Sequence, residues 1–352
     1  MQIDEQELNR LLERAVGDLS AGAGGVMISL GHKLGLYRTM AGAGPLSATE
    51  LARRSGCAER YVREWLNAQA AGGYVAYHPS SGTYELTPEQ ELILANPDGP
   101  AHIPPAWDVV ASLWFDEEKA IEAFRSGEGI AWGDHDERLF CGVAAFFRSS
   151  YRSELVPNWL PALDGVVERL RAGGRVADVG CGHGHSTILM AEAFPESRFT
   201  GYDVHEGSVE AARANALEAG VTDRVDFQVA SAKDYPARDL DLVCFFDCLH
   251  DMGDPAGAAA HARRSLGPDG TVMLVEPFAN DRVEDNLNPI GRLYYASSTM
   301  LCCAHSLSEE VGLALGAQAG ESRLTAVLKD AGFGHIRRAT ATPFNMIIEA
   351  RA

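Results

Sequence analysis

Basic residues are scarce in this chain: 30 lysines and arginines stand against 49 aspartates and glutamates, a formal net charge of −19. Nucleic acid is held through clustered basic side chains, and the far field of so acidic a protein repels a polyanion. The balance therefore argues against DNA as an obligatory partner. Paired-cysteine motifs are also missing. The seven cysteines (57, 141, 181, 244, 248, 302 and 303) are odd in number and include no CxxC. That excludes a disulfide framework, argues against a zinc site, and suits a reduced, cytoplasmic protein. No run approaches the ~18 apolar residues of a membrane span. The opening MQIDEQELNR is acidic and amphipathic, unlike a signal or transit peptide. No internal repeat or low-complexity tract is visible.

What is there is an ordinary globular composition, 46% apolar and 22% charged, over 352 residues. That length predicts two domains, or one with a large appendage. Leu8, Leu11, Leu12, Ala15, Val16 and Leu19 repeat at helical spacing behind Asp4 and Glu7, which are placed as a capping pair. The apolar stripe of this helix needs a cover, from its own domain or a second subunit. Ser47 to Glu50 forms a capping box for a short helix through Arg53, and Gly56 marks a turn. A second helix is expected from about Ala58 to Ala70. Tyr74–Tyr77 and Thr83–Leu86 then flank a Ser-Ser-Gly turn as a β-hairpin. Helix, turn, helix and two-stranded wing is the winged-helix order. The second helix carries Arg60 and Arg63 but also Glu59 and Glu64, so it offers no basic face to a major groove. A dimerising, substrate-covering module fits better than a DNA reader.

Residues 101–173 read as a helical connector. Pro104-Pro105 break the chain, and Trp107–Phe124 is helix-like. A glycine-rich aromatic segment holds Trp132 and His135, and helices follow over Phe140–Leu155 and Leu160–Leu170. Trp132, Phe146, Phe147 and Tyr151 read as core, with Trp132 also placed to line a pocket ahead of a cofactor domain.

From Arg175 the pattern alternates strand and helix, the signature of a parallel α/β sheet. A buried strand enters Asp178, turns through Gly180, Gly182 and Gly184, and continues as a helix from Thr187 to Phe194. The glycines allow a sharp turn and a close approach of backbone to ligand. The spacing is GxGxG, where dinucleotide enzymes have GxGxxG, and Asp178 precedes it by two residues. A carboxylate there gains little from a pyrophosphate but much from the ammonium group of an amino acid. The next strand, Arg198–Tyr202, ends at Asp203, suited to the two hydroxyls of a ribose, with Val204 placed to pack on a base. Strands are also expected at Val225–Val229, leading into Ser231, Ala232 and Lys233 at the adenine edge, and at Asp241–Phe246, leading into Asp247. Leu266–Gly270 reads as a turn before a fifth strand, Thr271–Pro277. His335–Thr340 and Asn345–Ala350 read as a terminal antiparallel hairpin.

On these residues the segment 175–351 resembles the class I S-adenosylmethionine-dependent methyltransferases. The winged-helix-first order resembles the bacterial small-molecule O-methyltransferases, and the stretch from Gly291 through Leu315–Glu321 to Asn345 resembles an actinobacterial subgroup of them. The resemblance implies an α/β fold: a Rossmann-like seven-stranded sheet with its last strand antiparallel, behind an N-terminal α-helical, winged-helix domain. The domains would be 1–100, winged-helix and dimerising; 101–173, connector; and 174–352, methyltransferase. It implies S-adenosylmethionine as cofactor, with its methionine part at Gly180, Gly182 and Gly184 beside Asp178 and Asp247. The ribose would lie on Asp203 and the adenine edge at Ala232 and Lys233. Ser231 departs from the acid that many relatives carry, although a hydroxyl can still bond the adenine amino group.

Methyl transfer is an in-line displacement, so alignment and exclusion of water carry most of it. A hydroxyl acceptor also benefits from a base. Leu-His-Asp-Met-Gly-Asp resembles the Leu-His-Asp-Trp-x-Asp segment of plant-type O-methyltransferases, which makes His250 the candidate base, with Asp251 as the neighbour that would orient it. Tyr294, Tyr295 and Met300 would wall a pocket for a small aromatic or lipophilic acceptor, under a roof formed by 286–306. His183 and His185 line the glycine loop and are not expected to hold a metal, because no carboxylate or cysteine set accompanies them at ligand spacing. A homodimer is expected. Two alternatives have different signatures: a ligand-responsive regulator would need a basic recognition helix, and an NAD oxidoreductase would need the other glycine spacing.

Overall fold

The computed structural model describes residues 3–99 and 101–352, in two compact units. One comprises the described residues up to Ala111 together with Cys141–Ser149; the other comprises Ser112–Phe140 and Ser150–Ala352. The boundary expected at residue 100 falls outside the described residues.

In the first unit a long helix, Glu5–Lys33, starts where Asp4 accepts hydrogen bonds from the amides of Gln6 and Glu7. It runs two turns or more beyond the leucine stripe because its second half is built for close packing. A Cβ on Gly25 would lie 2.1 Å from the Trp107 ring, and one on Gly31 would lie 2.5 Å from Trp65. The first half is bare: Leu11, Leu12, Val16 and Leu19 are all exposed. The helix Ala48–Ser55 carries the full Ser47/Glu50 capping box, and the helix Glu59–Ala71 follows after Gly56. Strands β1 (Ala76–His78) and β2 (Thr83–Glu85) pair antiparallel as the wing. Ile28, Tyr37, Leu51, Trp65, Leu66 and Tyr84 fill the core between them, with the Tyr37 hydroxyl donating to Gln69 Oε1 at 2.5 Å.

The second unit carries β3 (Arg175–Val179), β4 (Arg198–Asp203), β5 (Val225–Val229), β6 (Leu240–Phe246), β7 (Leu266–Pro277), β8 (His335–Ala341) and β9 (Asn345–Arg351). They form one sheet in the order β5-β4-β3-β6-β7-β9-β8. The first five pair in parallel, and β9 is antiparallel to both β7 and β8. Covered on both faces, β6 and β7 read as nearly unbroken apolar runs. The chain crosses from one side of β3 to the other between β5 and β6. Such a reversal opens a crevice at the carboxyl ends of β3 and β6, where α/β sheets bind ligands.

Three expectations are corrected. Leu266–Gly270 is not a free turn: Leu266 pairs with Leu240 and Thr271 with Leu242, so the Gly-Pro-Asp-Gly stretch is a bulge inside β7. The helix expected over 107–124 is two, Ala106–Phe115 and Glu117–Ser126. At the break, the buried Asp116 carboxylate bonds Lys119 Nζ at 2.7 Å, His135 Nδ1 at 2.8 Å and the Asp136 amide at 3.1 Å. Downstream, the helix Arg138–Ser150 gives way to widened π-type turns over Tyr151–Trp159 that accommodate Pro157, and the last connector helix is only Val166–Arg171.

Candidate active site

The crevice is built from the loops that follow β3, β4, β5, β6 and β7. After β3, Gly180, Gly182 and Gly184 all take positive φ (73°, 51° and 76°). Two of them are forced by packing. A Cβ on Gly180 would lie 2.7 Å from Cys248 Sγ, and one on Gly184 would lie 2.4 Å from Phe227. At Gly182 no atom of the described residues beyond its chain neighbours lies within 4 Å of that position, so this turn of backbone faces open space.

Two carboxylates frame the loop. Asp178 is fully buried; its Oδ2 accepts from Ser186 and Thr187, each at 2.6 Å, while Oδ1 has no partner among the described residues. Burial lifts its pKa from the ordinary 3.8 to about 6, against the pull of those two hydroxyls. Asp203, at the end of β4, accepts from the Gly182 and His205 amides, both at 2.9 Å, which fixes the loop and the carboxylate together. Burial raises its pKa also. Val204 beside it is exposed. After β5, the Ala230 amide bonds the Asp203 carbonyl at 3.0 Å. Ser231 Oγ accepts from the Lys233 amide at 3.2 Å, with Ala232 half-buried between them. Lys233 Nζ reaches Asp254 at 3.5 Å.

The loop after β6 carries a further cluster of buried ionisable groups. Asp247 has a left-handed backbone (φ 51°), an unusual conformation for a non-glycine residue and one that clusters at functional sites. Its Oδ1 accepts from Asn345 Nδ2 at 2.7 Å, and its Oδ2 has no partner among the described residues. Burial and the neighbouring Glu276 push its pKa well above the carboxylate range. His250 is buried, its Nδ1 against Glu276 Oε2 and its Nε2 3.3 Å from Cys302 Sγ. Burial opposes charge on this ring, but Glu276 and then Cys302 overcome it, and the pKa rises well above 6.5. Glu276 Oε1 also accepts from the Leu249 amide at 3.1 Å, so one carboxylate holds both the ring and its backbone. Glu276 therefore does the orienting expected of Asp251.

The expected acceptor wall divides. Tyr294 and Tyr295 are half-buried on the helix Pro289–Ser297, the Tyr294 hydroxyl donating to the Phe344 carbonyl at 3.0 Å. Burial and the facing Asp247 push the Tyr294 phenol upward. Met300 packs instead against Ala120, Ile130 and Ala304. Trp132 sits in an aromatic group with His135, Phe140 and His305, at centroid distances of 5.9–6.1 Å, and Phe140 stacks on His205 at 4.5 Å. Through His205 this group lies at the Asp203 end of the crevice. Tyr151, read from the sequence as core, is buried 5.3 Å from the Phe246 ring. Burial, then Asp247 and Asp178, drive its phenol pKa well upward.

Residues 22–96 match the family described as Rv2258c-like winged HTH domain, and residues 170–332 match the methyltransferase domain family. A 27-O-demethylrifamycin SV methyltransferase of Amycolatopsis mediterranei is 40% identical over 107 residues, which are 30% of this chain and 39% of that protein. A ubiquinone biosynthesis O-methyltransferase of Thiobacillus denitrificans is 35% identical over 108 residues, 29% of this chain and 44% of that one. The chain thus spans less than half the length of these relatives. Among solved structures, human N-acetylserotonin methyltransferase with S-adenosylmethionine superposes with a TM-score of 0.69 at 19% identity, covering 100% of this chain and 99% of that one. Mitomycin 7-O-methyltransferase does so with a TM-score of 0.67 at 20% identity, covering 99% and 100%. At such identities the likeness is one of fold, and it extends over both units of the chain.

Proposed function

We propose that this chain, in which a winged helix-turn-helix domain precedes a methyltransferase domain, is an S-adenosylmethionine-dependent O-methyltransferase of a small aromatic or lipophilic acceptor. The observation that carries the reading is His250, an imidazole oriented through Nδ1 by a buried glutamate at the carboxyl edge of the sheet. A base held in this way suits removal of a hydroxyl proton.

The crevice fits the cofactor on its own chemistry. The unpartnered Oδ1 of Asp178 suits an ammonium group, and the open face of Gly182 suits close backbone approach. Asp203 would hold ribose hydroxyls, with Val204 against the base. Ser231, Ala232 and Lys233 would meet the adenine edge, and Asp247 the methionine part. When bound, S-adenosylmethionine supplies an electrophilic methyl group on a cationic sulfur. The chain's part is to align an acceptor, exclude water and take up a proton. His250 accepts that proton at Nε2, and Glu276 stabilises the imidazolium. Tyr294 and Tyr295 would face the acceptor, whereas Met300, packed with Ala120, Ile130 and Ala304, and Trp132, grouped toward Asp203, would not. An aromatic acceptor is supported by a structural neighbour from neocarzinostatin biosynthesis, bound to 2-hydroxy-5-methyl naphthoic acid.

Calorimetric titration tests the cofactor. Both S-adenosylmethionine and S-adenosylhomocysteine should bind at micromolar concentration and NAD should not, with transfer of labelled methyl to hydroxylated aromatics following. Binding of NAD alone would sink the proposal.

We read the first unit as a dimerisation module. The exposed stripe Leu11, Leu12, Val16 and Leu19 is the surface that needs a partner. On the helix Glu59–Ala71, Arg60 is paired with Glu64 at 2.5 Å and Arg63 with Glu59, which leaves little charge for phosphates. Light scattering should give a homodimer that Leu12→Asp with Leu19→Asp converts to monomer; a monomeric parent protein would refute the assignment. Unpaired cysteines, the exposed Cys141 among them, support a reducing, cytoplasmic setting. Among the described residues no helix is long and apolar enough to cross a membrane.

A further inference from the structure

His250 has two neighbours, and the proposed reaction uses one. Glu276 holds Nδ1, while Nε2, the nitrogen left to receive a proton, faces the Cys302 thiol at 3.3 Å. A nucleophile within hydrogen-bond reach of a base, itself oriented by a third group, is the arrangement that activates thiols for covalent chemistry. Cys302 closes the widened turn Ser298–Cys302, so its side chain projects from a segment already distorted from the α-helix. Its neighbour Cys303 is differently placed, 3.5 Å from Ser298 Oγ.

We propose that Cys302 is a modification site, a thiol activated by His250 and Glu276 that hydroperoxides oxidise to a sulfenic acid. With the thiol proton on Nε2, Sγ attacks one peroxide oxygen. The S–O bond forms as the O–O bond breaks, and the departing hydroxide or alkoxide takes the proton from Nε2 to leave as water or alcohol. Sulfur gives up two electrons and the peroxide receives them. Cys302 is buried, so the oxidant is a small one. Burial holds the Cys302 thiol above its ordinary value; the facing His250 imidazole is the group that pulls it back down, and Asp251 adds to the upward push. Removing the ring leaves burial unopposed. The sulfenic acid then occupies the space in front of Nε2. That consequence, arrest of methyl transfer, rests on the reading of His250 as base; the reactivity does not.

The test treats the reduced full-length protein with hydrogen peroxide, traps sulfenic acid with dimedone, and assigns each cysteine by fragment mass spectrometry. Cys302 should label about tenfold or more faster than Cys303 and the exposed Cys141, and His250→Asn should abolish that advantage. Circular dichroism and S-adenosylhomocysteine binding establish that the variant is folded, and His250→Gln serves if it is not. Methyl transfer by Cys302→Ser should resist a peroxide dose that silences the parent protein. Cys302 labelling no faster than Cys303, or equally fast in a folded His250 variant, would overturn the proposal. S-adenosylmethionine titration on the same sample separates the two readings: labelling without binding removes the methyltransferase reading alone, and binding without labelling removes this one alone.

Discussion

His250→Asn should bind S-adenosylhomocysteine as the parent does and turn over about 10²–10⁴-fold more slowly, the span a well-placed base contributes. The ring lies in the loop after β6, away from the glycine loop and Asp203, so its loss removes a proton acceptor and leaves the framing carboxylates in place. The pH profile carries the sharper claim. Glu276 holds the His250 pKa well above 6.5 despite burial. Only the neutral ring can accept a proton, so activity should rise with pH along a limb displaced upward from that value. Glu276→Gln removes the charge that lifts the pKa while keeping a hydrogen-bond acceptor, so the limb should move down in pH even as maximal turnover falls. A limb that stays in place in Glu276→Gln would show that the carboxylate does not govern the base. Turnover of His250→Asn near the parent value, on the physiological acceptor, would remove the base altogether.

Much of this site was legible because its parts are local in sequence. A strand running into Asp178, three glycines at fixed spacing and a second strand ending in Asp203 form one continuous unit, and a β-α-β crossover is right-handed in nearly all proteins. The same holds for the capping box at Ser47 and Glu50, where four residues decide the start of a helix. Glu276 was missed because nothing near His250 in the chain points to it. It arrives through sheet register, which sets Phe246 opposite Val275 and so brings the ends of β6 and β7 side by side. The available signal was a carboxylate in the apolar run Thr271–Pro277, since a buried strand carries a charge only where a partner answers it. Asn345, which holds Asp247, and Cys302, which faces His250, come from separate later segments and leave no local pattern. Tyr151 looked like core because its ring is core; the carboxylates beyond its hydroxyl are set by tertiary structure. The break at Asp116 is of the same kind, a helical periodicity overridden by one buried carboxylate and its three partners.

Affinity for S-adenosylmethionine should be bell-shaped in pH, and Asp178→Asn should flatten its acid limb. In the free protein, burial raises this carboxyl to about 6, so it keeps its proton more readily folded than unfolded. The sign follows. For this group alone, stability is greatest below the ordinary 3.8 and falls as pH rises through about 6, because the fold must then carry a buried charge with one oxygen unpartnered. An ammonium group set against Oδ1 relieves that cost. Binding should therefore strengthen as pH rises to about 6, by up to tenfold per unit, and level off above it. It should weaken again as the ligand's own α-amino group loses its proton, at about 8. Removing one partner of a buried, hydrogen-bonded charge pair costs about 2–5 kcal/mol, so Asp178→Asn should bind roughly 30-fold to several thousand-fold more weakly at pH 7.5. At pH 5, where about nine-tenths of the parent's Asp178 is already protonated, the gap between variant and parent should narrow by about tenfold. A desamino adenosyl ligand supplies the control, because it has no ammonium to pair and should show neither the acid limb nor the penalty. Calorimetry across pH 5 to 9 reads all three. An acid limb that persists in Asp178→Asn, or that the desamino ligand shares, would move the ammonium contact away from Asp178, with Asp247 and its own unpartnered oxygen the next group to test.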